Sequence, residues 1–389
     1  MKIAVLVNEL DIRGGTHKQV LRLCQYLRSK CDITIYTFVC DLDKTYPEFK
    51  SFKIVVLDNS CDDCKNDRFI NKLKPFKKLR KQYALLQLID KDTDIINIHD
   101  NGFCGLMFLS KFIRNHKLVW QINDLPGLFC VGASKNEKNN SLSAKRKRFF
   151  YKYVASKVDK ITVNVTKNKE RVEECLGTEA SVLYCGVDVN SNLLKHRYRF
   201  EGNSNDVVNI LSSGVFYRYR NYETLVEVVD LLRKDGINAY LRIIGSTADK
   251  QYTNEIRKII SRKGLNKYID ICGQVDEFDY NRLHNISDVF AFINIDQSWG
   301  LAVFEAMSCG LPVIVSDSVG ATEILNDKVD SIFVNPLDAN EIKNKIKLLT
   351  IDENYYNNIS QEAIKVTNDC SWDKMYSSKM LEIFTSIKG

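Results

Sequence analysis

The stretch "DQSWGLAVFEAMSCGLPVIVSD", Asp296 to Asp317, decides how the chain is read. Glu305 is the only charge between its two terminal aspartates, in a sequence in which 27% of residues are charged. Gly300 and Gly310 bound a run of helix formers, and Pro312 follows two residues beyond. This punctuation predicts a buried helix starting near Gly300 or Leu301. Its N-terminus, through Leu301 and Ala302, offers free backbone N–H groups and a partial positive charge, which suits phosphate. Glu305 lies about one turn in, where a buried carboxylate is costly without hydrogen-bond donors. Sugar or ribose hydroxyls are suitable donors for a carboxylate fork; a structural Lys or Arg partner is the competing explanation.

Outward from this stretch the chain alternates short apolar runs with amphipathic ones. "DVFAFINI" precedes it, "PVIVSD" closes it, and "SIFVN" reads as the last strand. "VVNILSSG" and "AYLRIIGS" are earlier strands, each followed by a helical pattern, "NYETLVEVVDLLRKDG" and "KQYTNEIRKIISRKG". The first half repeats the scheme with "KIAVLV", "DITIYTFV", "DIINIH", "KLVWQI" and "KITVNV". In "TKNKERVEECLG", Thr166 reads as an N-cap and Gly177 as the stop. Strands alternating with helices indicate βα units and parallel sheets. The polar segment 190–206 breaks the alternation and separates two α/β domains. Two helical segments, "ANEIKNKIKLLT" and "SWDKMYSSKMLEIF", close the chain. In this architecture ligands bind at the carboxyl ends of the strands, here in a cleft between the domains.

Composition agrees. A chain of 389 residues suits two domains, and 44% hydrophobic residues with 18 Tyr and 19 Phe can fill two cores. The N-terminal apolar run ends at Asn8, too short for a signal peptide, and no segment approaches the length of a membrane span. Twelve cysteines, among them Cys24, Cys40, Cys272 and Cys309, read as free thiols of a reducing cytosol. The close pair Cys61 and Cys64 reads as part of a polar loop. The formal charge of +7 belongs to the first half: residues 1–190 hold 33 Lys and Arg against 22 Asp and Glu. The basic segments "FINKLKPFKKLRKQYALL" (69–86) and "SAKRKRFFYKYVASK" (143–157) are either solvated helices or contacts for an anionic membrane surface. No nucleic-acid motif accompanies the charge, so nucleic acid is not an expected partner.

Four motifs carry chemistry outside the opening stretch. "DIRGGTHKQV" places Gly14 and Gly15 between the first strand and first helix, where backbone approaches a phosphate or an acceptor. "NIHDNG" ends a strand at His99, and "WQINDLPG" ends another at Asn123 and Asp124. For these side chains a structural hydrogen bond and a catalytic or acceptor-binding role are both open. "GATEIL" puts Glu323 in the first turn of a helix, where a carboxylate also suits the dipole.

Taken together, "WGLAVFEAMSCGLPVIVSDSVGATEIL" (299–325), "GVFYRYRNYETLVEVV" (214–229), "LRIIGS" (241–246), Gly14-Gly15 and Ser371-Trp372 resemble glycosyltransferase family 4. The resemblance spans nearly the whole chain and is stronger in the second half. It implies an α/β fold of the GT-B type, two Rossmann-like β/α/β domains facing a central cleft. Residues 1–190 would bind the acceptor, 191–370 the nucleotide-sugar donor, and 371–389 would form a C-terminal helix returning to the first domain.

The implied activity is retaining transfer of a sugar, a hexose in the expected case, from a UDP- or GDP-sugar to a hydroxyl acceptor. The donor is a substrate, and neither cofactor nor metal is expected; "DLD" (41–43) and "DTD" (92–94) match the metal motif of a different glycosyltransferase fold by chance. In the family pattern Glu305 binds the nucleotide ribose, and Gln297 stands where a Glu usually contacts the donor sugar. Val215 replaces a customary Arg, Arg220 matches a diphosphate-binding Lys, and Arg218 is placed to restore the missing charge. A solvated "RYR" turn is the other reading of that segment. Asn123 occupies a position commonly held by His, leaving His99 or Asp124 as acceptor-binding groups or weak base. Donor contacts are thus expected from Gly14, Gly15, Arg218, Arg220, Gln297, Gly300, Leu301, Ala302, Glu305 and Glu323. The acceptor is expected to be a lipid-linked saccharide of polysaccharide or glycolipid biosynthesis, met by a cytoplasmic protein peripheral to the inner membrane face. A sugar-nucleotide epimerase and a non-catalytic sugar-nucleotide or membrane-binding protein are the rival functions.

Overall fold

The structure, a computed structural model, describes residues 1–57, 77–99, 101–123, 142–189, 198–203, 206–296 and 299–389. Asp124, Gln297, Cys61 and Cys64 lie outside the described residues. The chain divides into two units, Met1–Cys185 with Trp372–Gly389, and Gly186–Ser371. The division thus falls a few residues before the 190/191 boundary read from polarity.

In the first unit the described elements are β1 (Lys2–Leu6), β2 (Glu9–Leu10), α1 (Gly15–Leu27), β3 (Asp32–Thr37), β4 (Val39–Cys40), β5 (Lys53–Val56), α2 (Lys77–Leu88), β6 (Ile95–Ile98), α3 (Cys104–Ile113), β7 (Lys117–Ile122), α4 (Leu142–Ala155), β8 (Lys160–Val163), α5 (Thr166–Leu176) and β9 (Ala180–Val182). Seven strands form a parallel sheet in the order β5-β3-β1-β6-β7-β8-β9, and β2 pairs with β4 separately. Strand order reverses at β1, which lies between β3 and β6. All of Ile95–Ile98 is buried, as expected for a strand covered on both faces. Leu6, Ile96, Ile98, Leu118 and Trp120 belong to one core, and burying each such side chain stabilises the fold by roughly 1.5–3 kcal/mol.

Helix α5 corrects one local reading. Val165, with extended backbone, occupies the N-cap and Thr166 is already helical, one residue inside the expected start. The stop is where the glycine put it: Gly177 is left-handed and its N–H returns to the Glu173 carbonyl.

The second unit comprises β10 (Val207–Ser213), α6 (Tyr222–Lys234), β11 (Asn238–Ile244), α7 (Lys250–Arg262), β12 (Ile269–Gly273), α8 (Glu277–Asn285), β13 (Val289–Phe292), α9 (Leu301–Ser308), β14 (Val313–Ser316), β15 (Ile332–Val334), α10 (Ala339–Ile351) and α11 (Glu353–Asp369). Its parallel sheet runs β12-β11-β10-β13-β14-β15, with the order reversing at β10. Aspartates start four of the helices: Asp249, Asp276, Asp338 and Asp352 each accept a bond from a backbone N–H three residues on. Helix α11 is one that periodicity did not reveal. Its asparagines and threonine obscure a face on which Tyr356, Ile359, Ala363 and Thr367 are buried.

After α11 the chain rejoins the first unit. A π-helical turn, Asp373–Ser377, leads into α12 (Ser378–Lys388). Tyr376 is buried and its hydroxyl donates to Gln121 Oε1 at 3.4 Å, while Lys388 pairs with Asp94 at 2.9 Å. Among the described residues no helix is long and apolar enough to cross a membrane.

Candidate active site

In each unit the strand order reverses at a central strand, and open parallel sheets hold ligands beyond the carboxyl ends at that point. In the second unit β10 leads there into Gly214 and then the short 3-10 turn Arg218–Arg220. A Cβ on Gly214 would lie 2.6 Å from the Arg220 Cζ, so only glycine leaves room for the guanidinium. Arg220 lies 5.4 Å from the Phe292 ring centroid and 5.2 Å from that of Tyr219. Its Nε is buried with no hydrogen-bond partner among the described residues. A cationic group held against apolar rings with an unsatisfied donor is poised for an anion. The turn is anchored by Asn221, which takes a left-handed conformation and donates to the Pro336 carbonyl at 2.6 Å.

Arg218 is placed differently. Its guanidinium makes a two-oxygen pair with Glu255 at 2.6 and 2.8 Å and is 62% exposed. That carboxylate raises its pKa further and already balances its charge. It does not turn inward to replace the Arg missing at Val215, which is half-buried.

Helix α9 begins where the opening stretch put it. Gly300 is the N-cap with φ of 94°, and a Cβ there would lie 3.1 Å from Val319 and 3.2 Å from Phe292. Phe292 therefore abuts both Arg220 and the start of α9, bringing the cation and the helix N-terminus to one ring. The first-turn amides of Leu301 and Ala302 precede any intrahelical acceptor. Glu305 is half-buried one turn on, and its Oε2 accepts a 2.7 Å bond from the Tyr280 hydroxyl. Tyr280, on α8, was not singled out from sequence, and twenty-five residues separate it from the carboxylate. Its ring lies 4.2 Å from His284, whose burial lowers its pKa against the opposing Glu305 charge. Glu323 is exposed at the end of the 3-10 turn Gly320–Glu323 after β14, in which Gly320 and Ala321 are buried.

The corresponding region of the first unit holds a cavity of about 200 Å³ lined by His17, His99, Thr16, Glu9, Gln121 and Asn123. It sits where β1, β6 and β7 end. Gly14 is the N-cap of α1 and Gly15 its first residue; a Cβ on Gly14 would lie 3.2 Å from His17 Nδ1.

The hydrogen bonds settle both imidazole tautomers. His17 Nε2 lies 2.8 Å from the Glu9 carbonyl, an acceptor, so it carries the proton. His99 Nε2 lies 2.7 Å from Asn97 Oδ1, whose own amide nitrogen donates to Val119. In the neutral ring Nδ1 is therefore the lone-pair acceptor, and both Nδ1 atoms are buried with no partner among the described residues. Burial holds the His99 pKa down to about 3, so its ring is neutral at physiological pH. Asn123 is held in an amide network: it donates to Gln19 Oε1 at 2.8 Å and Thr16 Oγ1 at 3.2 Å, and accepts from Gln121 at 3.0 Å. His17 went unmarked in the sequence, although it stands two residues after Gly15; its neighbour in space, His99, follows it by 82 positions in the chain.

A larger depression of about 560 Å³ lies at the opposite, amino ends of β1 and β3. Of the charged residues lining it, Lys2 pairs with Asp92 and with the neighbouring Asp90, and Asp94 pairs with Lys388.

Two parallel α/β units with these sites define the class, the GT-B glycosyltransferase fold. A crystal structure of Anabaena Alr3699/HepE in complex with UDP and glucose superposes with a TM-score of 0.78, at 17% identity, covering 99% of this chain and 100% of that one. WaaG, a glycosyltransferase involved in lipopolysaccharide biosynthesis, gives 0.71 at 14% identity, covering 98% and 99%. Residues 195–366 match the glycosyl transferases group 1 family and residues 13–191 match glycosyltransferase family 4. The chain belongs to this glycosyltransferase family.

Among curated relatives, sucrose synthase 5 of Arabidopsis thaliana is 23% identical over 250 residues, 61% of this chain and 27% of that protein. The serotype-specific mannosyltransferase WbdA of Escherichia coli is 24% identical over 164 residues, 42% of this chain and 20% of that protein. The matched stretches span no more than about a quarter of those relatives' length.

Proposed function

We propose that the chain transfers a hexosyl group from a nucleoside-diphosphate sugar, a UDP- or GDP-sugar, to a hydroxyl acceptor with retention at the anomeric carbon. The observation that carries this reading is Arg220, a cation with a buried, unsatisfied Nε, brought by Phe292 to the N-terminus of α9. Donor diphosphate would accept from both, and the charge that develops on the leaving group would be stabilised there, the electrostatic part of the catalysis. Glu305, oriented by Tyr280, accepts from the ribose hydroxyls. Gln297 orients the donor sugar, with its carboxamide in place of a carboxylate.

In the first unit the two imidazole acceptors receive sugar hydroxyls beside the Asn123 network, and Asp124 is assigned to acceptor binding. Transfer then depends on positioning, with the leaving phosphate taking the acceptor proton. The acceptor we assign is a lipid-linked saccharide of cell-surface polysaccharide or glycolipid biosynthesis, consistent with the basic first half of the chain.

Thermal stabilisation by UDP, GDP and ADP, compared between the parent protein and Arg220→Ala, tests the donor site. Selective stabilisation of the parent by one nucleotide is expected. Equal stabilisation of both proteins would refute the phosphate role of Arg220. Product analysis with and without added acceptor separates transfer from epimerisation.

A further inference from the structure

One surface of the first unit takes no part in the sites described. Helices α3 and α4 pack together through Phe108, whose ring lies 6.1 Å from Phe112, 5.8 Å from Phe150 and 6.1 Å from Tyr153. From this partly buried joint large apolar side chains project into solvent: Phe112 is 78% exposed and Phe149 73%. Tyr153 follows Phe149 by one helical turn and Leu142 precedes it by two, so the three share a face of α4. Leu142 and Tyr153 are exposed as well. Isolated exposed hydrophobics are ordinary, but a contiguous stripe on two packed helices marks a contact surface.

The charge around the stripe selects the partner. Helix α4 carries Lys145, Arg146, Lys147, Arg148 and Lys152 and no carboxylate. Lys157, just beyond it, lies 5.7 Å from the Tyr153 ring centroid. A second copy of the chain meeting this face by two-fold symmetry would oppose the same cations, which disfavours self-association. An aliphatic and aromatic edge beneath a basic rim is the composition that inserts into the headgroup boundary of an anionic bilayer. We infer that the chain docks on anionic membrane surfaces through the α3–α4 face, with Phe112, Phe149 and Tyr153 inserting among the acyl chains and the α4 cations meeting lipid phosphate. The inference rests on the proposed reading only for its purpose, which is to bring the first-unit cavity to acceptors carried by lipid.

Vesicle co-sedimentation tests it, using pure phosphatidylcholine and phosphatidylcholine mixed with phosphatidylglycerol, at low and high salt. The parent protein is expected on the phosphatidylglycerol vesicles at low salt, with binding weakened by salt and largely absent on neutral vesicles. Phe112→Ser with Phe149→Ser, and separately Lys145→Glu with Lys147→Glu, should each weaken partitioning by roughly tenfold or more. UDP-induced thermal stabilisation should be unchanged in both variants, which shows that they are folded. A parent protein that stays in the supernatant overturns the inference. So does undiminished binding by the Phe112→Ser/Phe149→Ser variant, which would place the contact elsewhere. A concentration-dependent dimer abolished by that variant would reassign the face to self-association and likewise overturn it. Loss of nucleotide response in the parent with vesicle binding retained would instead refute the donor site and leave the docking surface standing.

Discussion

A Cβ on Gly214 would sit 2.6 Å from Cζ of Arg220 and 2.8 Å from its Nε. The space a side chain would need is filled by the guanidinium, the movable end of a long side chain. Gly214→Ala should therefore displace Arg220, which can swing away, at some cost in stability because Gly214 has a φ of 157°, and it should weaken UDP or GDP binding by about tenfold, the scale of one misplaced charge-assisted hydrogen bond. Calorimetric titration beside a thermal melt checks it. An alanine variant that binds as the parent does would detach Arg220 from the phosphate.

The two arginines of the "RYR" turn should behave oppositely. Arg220→Ala is expected to cost nucleotide affinity on the order of 100-fold, since it removes the cation with the unsatisfied buried nitrogen. Arg218→Ala should leave affinity within about threefold, because its guanidinium is exposed and already paired with Glu255. Parallel titrations of both variants decide between them; equal losses would mean that Arg218 leaves Glu255 when donor binds.

Tyr280 tests the Glu305 assignment without removing a charge. Tyr280→Phe deletes the hydroxyl 2.7 Å from Oε2 and keeps the ring. Loss of that bond should weaken nucleotide binding by about 1 kcal/mol, and Glu305→Ala should weaken it more. The comparison of UDP with 2′-deoxy-UDP is diagnostic: the Glu305→Ala variant should bind the two alike, whereas the parent should prefer UDP.

His99 predicts a pH dependence of stability. Its folded pKa lies near 3 because the charged form is desolvated, while the unfolded value is near the ordinary 6.5 of histidine. The unfolded state therefore takes up the proton first, so stability is fully present above about pH 6.5 and falls as pH drops toward 3. Down to about pH 4 the loss attributable to this group is about 3 kcal/mol. Urea denaturation of the parent and His99→Gln across this range should show a shallower slope in the variant; parallel profiles would mean that His99 is charged or accessible in the folded state.

His17 separates the two sites. His17→Phe removes an Nδ1 acceptor from the first-unit cavity and should raise the acceptor KM while UDP-induced stabilisation persists. Steady-state transfer assays with varied acceptor provide the check, and a loss of nucleotide response would move His17 to the donor.

Much of the architecture is legible in local pattern. Apolar runs such as those ending at Ile98, interrupted only by Asn97, and at Phe292 mark strands buried on two faces, and Gly177, Gly300 and Gly310 punctuate helices because their backbones are left-handed. Where the pattern failed, composition hid it. Helix α11 buries one face, but its asparagines read as loop, and only Asp352 announces its start. Thr166 looked like a cap because capping residue types are common; Val165 had already supplied the extended backbone the position needs.

The site divides along the same line. By itself the sequence determined two parallel α/β units, the helix after Gly300 with Glu305 one turn inside it, and the turn carrying Arg218 and Arg220, because spacing and turn chemistry act between near neighbours. Only the tertiary structure decided which of those arginines is occupied, that Tyr280 serves Glu305, and that His17 and His99 line one cavity. Strand order decides such contacts, since β1 lies beside β6 in the sheet although helices and other strands intervene along the chain. No period or motif encodes that adjacency, and it exists only once the sheet has buried its two faces.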